Sequence, residues 1–102
     1  MTAIRKRAQA LETEFAYQQE FMFKAEARRN ALVGLWAAAT MRRQDADAYA
    51  QELALASAEG PTAAFERLRS DLALAGASVS DDELQSRMAA VLRDVARDMH
   101  DH

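Results

Sequence analysis

Few side chains in this sequence could do chemistry. The two histidines, His100 and His102, stand at its C-terminal end. A histidine acting as general acid or base needs a preorganised setting that a fraying tail does not supply. With Asp98 and Asp101 they could hold a metal loosely, but no second cluster has ligand spacing, so no metal is expected. The chain has no cysteine, which removes disulfides and thiolate sites, and no glycine-rich phosphate loop. No nucleophile has a base partner nearby in sequence. These residues point away from an enzyme and require no cofactor.

Arginines are the other chemistry-bearing group. Residues 21–43 carry Lys24, Arg28, Arg29, Arg42 and Arg43 against Glu26 alone. Clustered base suits phosphate, yet the chain has a net charge of -3 and a pI near 5.3. It also lacks a stacking platform, so no nucleic acid is expected. One phosphate group needs only two donors, which keeps weak ADP or ATP binding at Arg28 and Arg29 open. The acids that follow, Asp45, Asp47, Glu52 and Glu59, are expected to face this basic segment or to share its solvated surface.

The elements that must position these groups are helical. Of 102 residues, 24 are alanine, three glycine and one proline. Leu84, Met88, Val91, Leu92, Val95 and Met99 recur every three or four residues, behind a Ser80 cap with Glu83 three residues on. Phe65, Leu68, Leu72 and Ala75 form a second stripe, entered through Gly60 and Pro61 and ended by Gly76. Ala46, Tyr49, Leu53 and Ala56 form a third. Phe21, Ala25, Leu32, Leu35, Trp36 and Ala39 form the longest, supported by a Glu20–Lys24 pair. Gly34 beside Leu35 and Trp36 would let another helix come close. The pattern predicts an all-α fold in which residues 20–102 make a compact antiparallel four-helix bundle, with helices near 20–41, 46–57, 61–75 and 81–99. The longest charge-free run is twelve residues, 30–41, too short for a bilayer span of about 20. A cytoplasmic monomer without membrane insertion is expected.

Residues 1–19 behave differently. Ile4, Ala8, Leu11 and Phe15 keep helical spacing, but Arg5, Lys6 and Arg7 sit where a helix prefers negative charge. An isolated helix this short is marginal in water. The segment is therefore expected to be mobile, disordered or fraying when free, and to fold with its apolar stripe on a partner. The alternative is that it forms the first turns of the long helix, with Leu11 and Phe15 packed on their own bundle.

From Phe23 to Ala38 the chain reads FKAEARRNALVGLWAA, and further on come Asp47 to Ala50, Arg69 to Leu72, Ala75–Gly76 and Val79 to Asp81. These segments resemble the zeta subunit of alphaproteobacterial F-type ATP synthases over nearly the whole chain. The resemblance implies an inhibitor of ATP hydrolysis. Its N-terminal segment would insert as a helix into a catalytic interface between the alpha and beta subunits, against the gamma rotor, at the inner face of the membrane. Carried onto this sequence, the inserting residues are Ile4, Arg5, Arg7, Leu11, Glu12, Phe15 and Tyr17. The chain departs from the family pattern here: Arg5 and Lys6 stand where the family has acids, Glu14 stands near a position where it has a base, and Gln18 and Gln19 stand near positions where it has acids. The alternative is a non-inhibitory helical interaction module of the same fold.

Overall fold

The computed structural model describes residues 2–101, which leaves His102 outside the described residues. Four α-helices follow one another: α1 (Thr2–Thr40), α2 (Ala46–Leu55), α3 (Ala63–Leu74) and α4 (Asp81–His100), with a 3₁₀ turn at Ala56–Glu59 between α2 and α3. No strand occurs among the described residues. The all-α expectation thus stands.

The N-terminal segment corrects the sequence reading. Residues 2–19 are not a disordered or fraying piece but the first half of one 39-residue helix, with no break at residue 19 or 20. The physical reason is nucleation. An isolated helix of this length carries the full cost of its first turn, whereas a helix already docked through its C-terminal half is extended at little cost per added residue. The segment contains no glycine or proline and consists mainly of good helix formers such as Ala, Arg, Lys, Gln, Leu and Glu. At 1.5 Å per residue α1 is about 58 Å long. It sets the long dimension of a molecule measuring 63 × 26 × 25 Å.

Packing begins at Phe21 and Ala25, and from there on the helices form a body. Its core gathers Val33, Ala37 and Ala38 of α1, Tyr49 and Leu53 of α2, and Ala56 of the 3₁₀ turn. From α3 come Ala64, Leu68 and Leu72, and from α4 Leu84 and Met88. Each fully buried leucine contributes about 2 kcal/mol by leaving water. The face that α1 buries also differs from the expected one: Ala25 is buried as expected, but Leu32, Leu35 and Ala39 are exposed while Val33, Ala37 and Ala38 are buried. Close approach decides this. A Cβ on Gly34 would lie 3.2 Å from the Ala50 Cα and 3.3 Å from the Leu53 Cβ, so α2 sits against the small-residue side of α1, and larger residues such as Leu32 and Leu35 would hold it away.

Helix ends follow local chemistry. The Ser80 hydroxyl accepts a 3.0 Å hydrogen bond from the Glu83 amide and caps α4. Gly76 closes α3 in the left-handed region at φ 76°, where the Gly76 amide donates to Ala73 and the Ala77 amide to Leu72. The end of α1 repeats this pair of bonds, Arg42 to Ala39 and Arg43 to Ala38, but with a non-glycine residue, Arg42, at φ 59°. Two boundaries move. Pro61 lies in the turn ahead of α3, whose N-cap is Thr62, and α2 tightens into the 3₁₀ turn after Leu55.

Polar pairs tie α2 to α3. The buried Tyr49 hydroxyl donates to Asp71 at 2.8 Å. Arg67 donates to Asp71 at 3.3 Å and to Glu52 at 2.6 Å. The Arg43 guanidinium lies 4.3 Å from the Tyr49 ring centre and makes a two-point pair with Asp45 at 2.8 Å. Burial, reinforced by the bond to Asp71, pushes the Tyr49 phenol above its ordinary range. The Arg43 bond holds Asp45 below the usual carboxylate range. Hence Glu52 and Asp45 are engaged by Arg67 and Arg43; among the described residues none of Asp45, Asp47, Glu52 and Glu59 pairs with Lys24, Arg28 or Arg29. No helix among the described residues is long and apolar enough to cross a membrane.

Candidate functional site

The N-terminal half of α1 leaves the body with its apolar residues uncovered. Every described side chain from Ala3 to Glu20 is exposed, including Ile4 (69%), Leu11 (66%) and Phe15 (62%). The packed alternative for Leu11 and Phe15 is thereby corrected, because the helix simply extends past the end of the body before either residue could meet it.

At about 100° per residue, the spacing of Ile4, Leu11, Phe15 and Met22 places all four within about 20° of one line along α1. That line is about 27 Å long, and it lies toward the side on which Val33 enters the core further along. Arg5 and Glu12 flank it on one side, Arg7 and Glu14 on the other. Of the seven residues expected to contact a partner, Ile4, Leu11 and Phe15 form the apolar line and Arg5, Arg7 and Glu12 its charged borders. Tyr17 does not belong to it. Its ring projects from another side of the helix and lies 6.5 Å from Phe21 in a tilted arrangement.

Where the arm meets the body, Glu14, Tyr17, Gln18, Phe21, Met22 and His100 line a shallow, mainly apolar groove of about 450 Å³. The His100 ring stands edge-on to Phe21 with centroids 6.3 Å apart. It closes the end of α4 on α1 rather than gathering with acids. Among the described residues no three His, Asp or Glu side chains come together as a metal site would require.

Arg28 and Arg29 are not brought together. Adjacent on a helix, they point about 100° apart, and Arg28 is exposed while Arg29 is half-buried. The Arg29 Nε donates to Asn30 Oδ1 at 2.8 Å, and burial lowers its pKa against the opposing charge of Glu26. Arg29 also borders a groove of about 310 Å³ with Pro61, Phe65 and Met88.

The amino-acid sequence matches a known family, which can be set beside this geometry. The family model described as ATPase inhibitor subunit zeta matches residues 1–98. The chain belongs to this family. The matched residues take in the whole arm and nearly all of the body, so in this zeta-family chain the arm is part of the family pattern. No curated protein matches the sequence.

Two features of the zeta-family chain are absent from the sequence reading. Asn30 is fully buried in α1, where its Nδ2 donates to the Ser57 hydroxyl at 2.9 Å and its Oδ1 accepts from Arg29. Nothing in a run of alanines and leucines signals that a polar residue is the inward one. Met22 is the second. It extends the apolar line by one step, and the spacing of seven from Phe15 was available as a signal.

Proposed function

We propose that the chain inhibits ATP hydrolysis by the catalytic head of an F-type ATP synthase, with the first half of α1 inserting as a helix into a catalytic interface between the alpha and beta subunits and against the gamma subunit. The observation that carries this reading is the exposed line of Ile4, Leu11 and Phe15 on a helix that stands clear of its own core. Membership of an inhibitor-subunit family supports it and supports a regulatory rather than a catalytic role. In this mechanism Ile4, Leu11 and Phe15 bury apolar area. Arg5, Arg7 and Glu12 set the register by pairing with charges of the interface, and Tyr17 contacts the opposite wall. A helix formed before contact avoids most of the backbone ordering cost that a disordered inhibitor meets on binding. The protein then works on the cytoplasmic side, at the inner face of the membrane where the catalytic head resides.

The body acts as the handle. We read it as an antiparallel four-helix bundle, supported by the contacts of Asn30 with Ser57 and of Gly34 with Ala50 and Leu53 between α1 and the α2 region, and of Tyr49 with Asp71 between α2 and α3. A weak adenine-nucleotide site is a second reading, favoured by the position of Arg29 on the groove beside Phe65. Shifts of backbone amide signals around Arg29 on adding ATP test it, and unshifted signals remove it.

The test of the main reading is a titration of ATP hydrolysis by the cognate catalytic head with the full chain and with residues 20–102. The core residues all lie between Ala25 and Val95, so the shortened chain keeps them. Inhibition by the full chain and none by residues 20–102 is the expected result. Equal inhibition by both, or by neither, overturns the reading.

A further inference from the structure

We propose that the arm of α1 also pairs with the arm of a second copy of this chain, the two helices running antiparallel. The argument starts from spacing. The exposed apolar residues Ile4, Ala8, Leu11 and Phe15 recur at alternating steps of four and three, the seam of a two-helix coiled coil. Placing Ile4 of one copy against Phe15 of the other brings Ala8 against Leu11, and the symmetry of the pair repeats both contacts. Each layer then joins a large side chain to a smaller one, so the seam fills evenly.

The charges fit the same register. In an antiparallel pair the residues beside the seam meet their own kind of position in the partner helix. In this register Arg5 meets the acid Glu12 of the other copy, and Arg7 meets Glu14. Symmetry doubles both, giving four opposite-charge pairs and no like-charge pair. None of these four residues is used within the chain: among the described residues the ion pair of α1 is Lys24 with Glu20, at 3.1 Å. Arg5 and Glu12, like Arg7 and Glu14, are seven residues apart, out of reach of the three- and four-residue pairing that supports a single helix.

A parallel pair fits less well. It joins Arg7 to Glu12 only, leaves Arg5 and Glu14 without opposite charges, and stacks Arg5, Lys6 and Arg7 of both copies side by side. The antiparallel pair instead sets the bases in the first turns of each α1, where a helix disfavours positive charge, against acids of the partner.

The overlap from Ile4 to Phe15 is about 18 Å long, which makes a small interface. Dissociation constants on the order of 10–100 µM are expected, weakening with salt. The paired form covers the same Ile4, Leu11 and Phe15 that the inhibitory reading assigns to the synthase. Taken with that reading, the pair is a stored, inactive form that dilution releases. The pairing itself does not depend on inhibition, and its test contains no ATPase.

Sedimentation equilibrium of the full chain from 10 µM to 1 mM, at 20 mM and 500 mM salt, reads the association directly. Three variants locate it: R5E/R7E, which makes all four positions acidic; E12R/E14R, which makes them all basic; and E14R alone. The expected results are a mass rising from 11.3 kDa toward twice that value, monomers for each double variant at 20 mM salt, and wild-type association restored when the double variants are mixed in equal amounts. E14R weakens the antiparallel pair at least several-fold but leaves a parallel pair untouched. Circular dichroism confirms that each variant keeps its helix content. A monomer throughout, double variants that still self-associate, an E14R chain indistinguishable from the wild type, or a mixture that stays monomeric overturns the proposal.

Discussion

Gly34→Ala sets two opposing effects of known size against one another. Alanine is favoured over glycine inside a helix by about 1 kcal/mol. The new Cβ would stand 3.2 Å from the Ala50 Cα and 3.3 Å from the Leu53 Cβ, tighter than ordinary contact. Because the nearer atom is backbone, no rotamer change relieves it, and the whole of α2 must move away from α1. Overpacking of this kind costs about 1–3 kcal/mol. The steric term therefore wins, with a net loss of about 1 kcal/mol that lowers Tm by about 4–8 °C for a folded body of this size. The propensity term is measured separately by comparing Arg28→Ala with Arg28→Gly, since Arg28 is exposed in the same helix and meets no such contact. Thermal and urea unfolding of the three variants supply the numbers. A Gly34→Ala protein more stable than the wild type, by the amount that the Arg28 pair assigns to propensity, refutes the claim that close approach at Gly34 selects the packed face of α1.

Other outcomes follow from the body. Tyr49→Phe keeps the ring but removes the 2.8 Å bond to Asp71, and urea unfolding should show a loss of about 1–2 kcal/mol. Tyr49 also governs alkaline stability: its folded pKa is raised above the ordinary value of 10.0. Its contribution is complete below pH 10 and is lost as the pH climbs toward the folded value, because only the unfolded chain releases the proton in that window. Unfolding free energies measured from pH 8 to 11.5 should fall more steeply for the wild type than for Tyr49→Phe. Arg42→Gly should stabilise the fold by about 0.5–1 kcal/mol, since a non-glycine residue at φ 59° is strained, and differential scanning calorimetry reads the rise in Tm.

How much was legible in the sequence depended on what kind of physics decided each feature. The stripe from Leu84 to Met99 and its Ser80 cap are local patterns, and the structure keeps both. The packed face of α1 was misread because size was taken as the sign of burial. Leu32 and Leu35 carry more apolar area than Ala37 and Ala38, yet the small residues flank the side on which α2 approaches. The arm was misread as disordered because its helix was weighed alone, without the docked turns from Ala25 onward that had already met the nucleation cost. Its exposed apolar line, by contrast, was legible: Ile4, Leu11 and Phe15 are on the surface, as a docking face requires. The tie of Tyr49 to Asp71 was beyond sequence reasoning, since it joins residues 22 apart across two helices.

The central claim is that an exposed apolar line on a preformed helix carries inhibition. The most direct measurement is the half-inhibitory concentration of the full chain and of its L11A/F15A variant against ATP hydrolysis by the cognate catalytic head, with the unfolding midpoint of each recorded alongside. Both side chains are exposed in the free protein, so their truncation leaves the midpoint unchanged, while loss of two buried anchors raises the half-inhibitory concentration on the order of 100-fold or more. An unchanged half-inhibitory concentration would contradict the account.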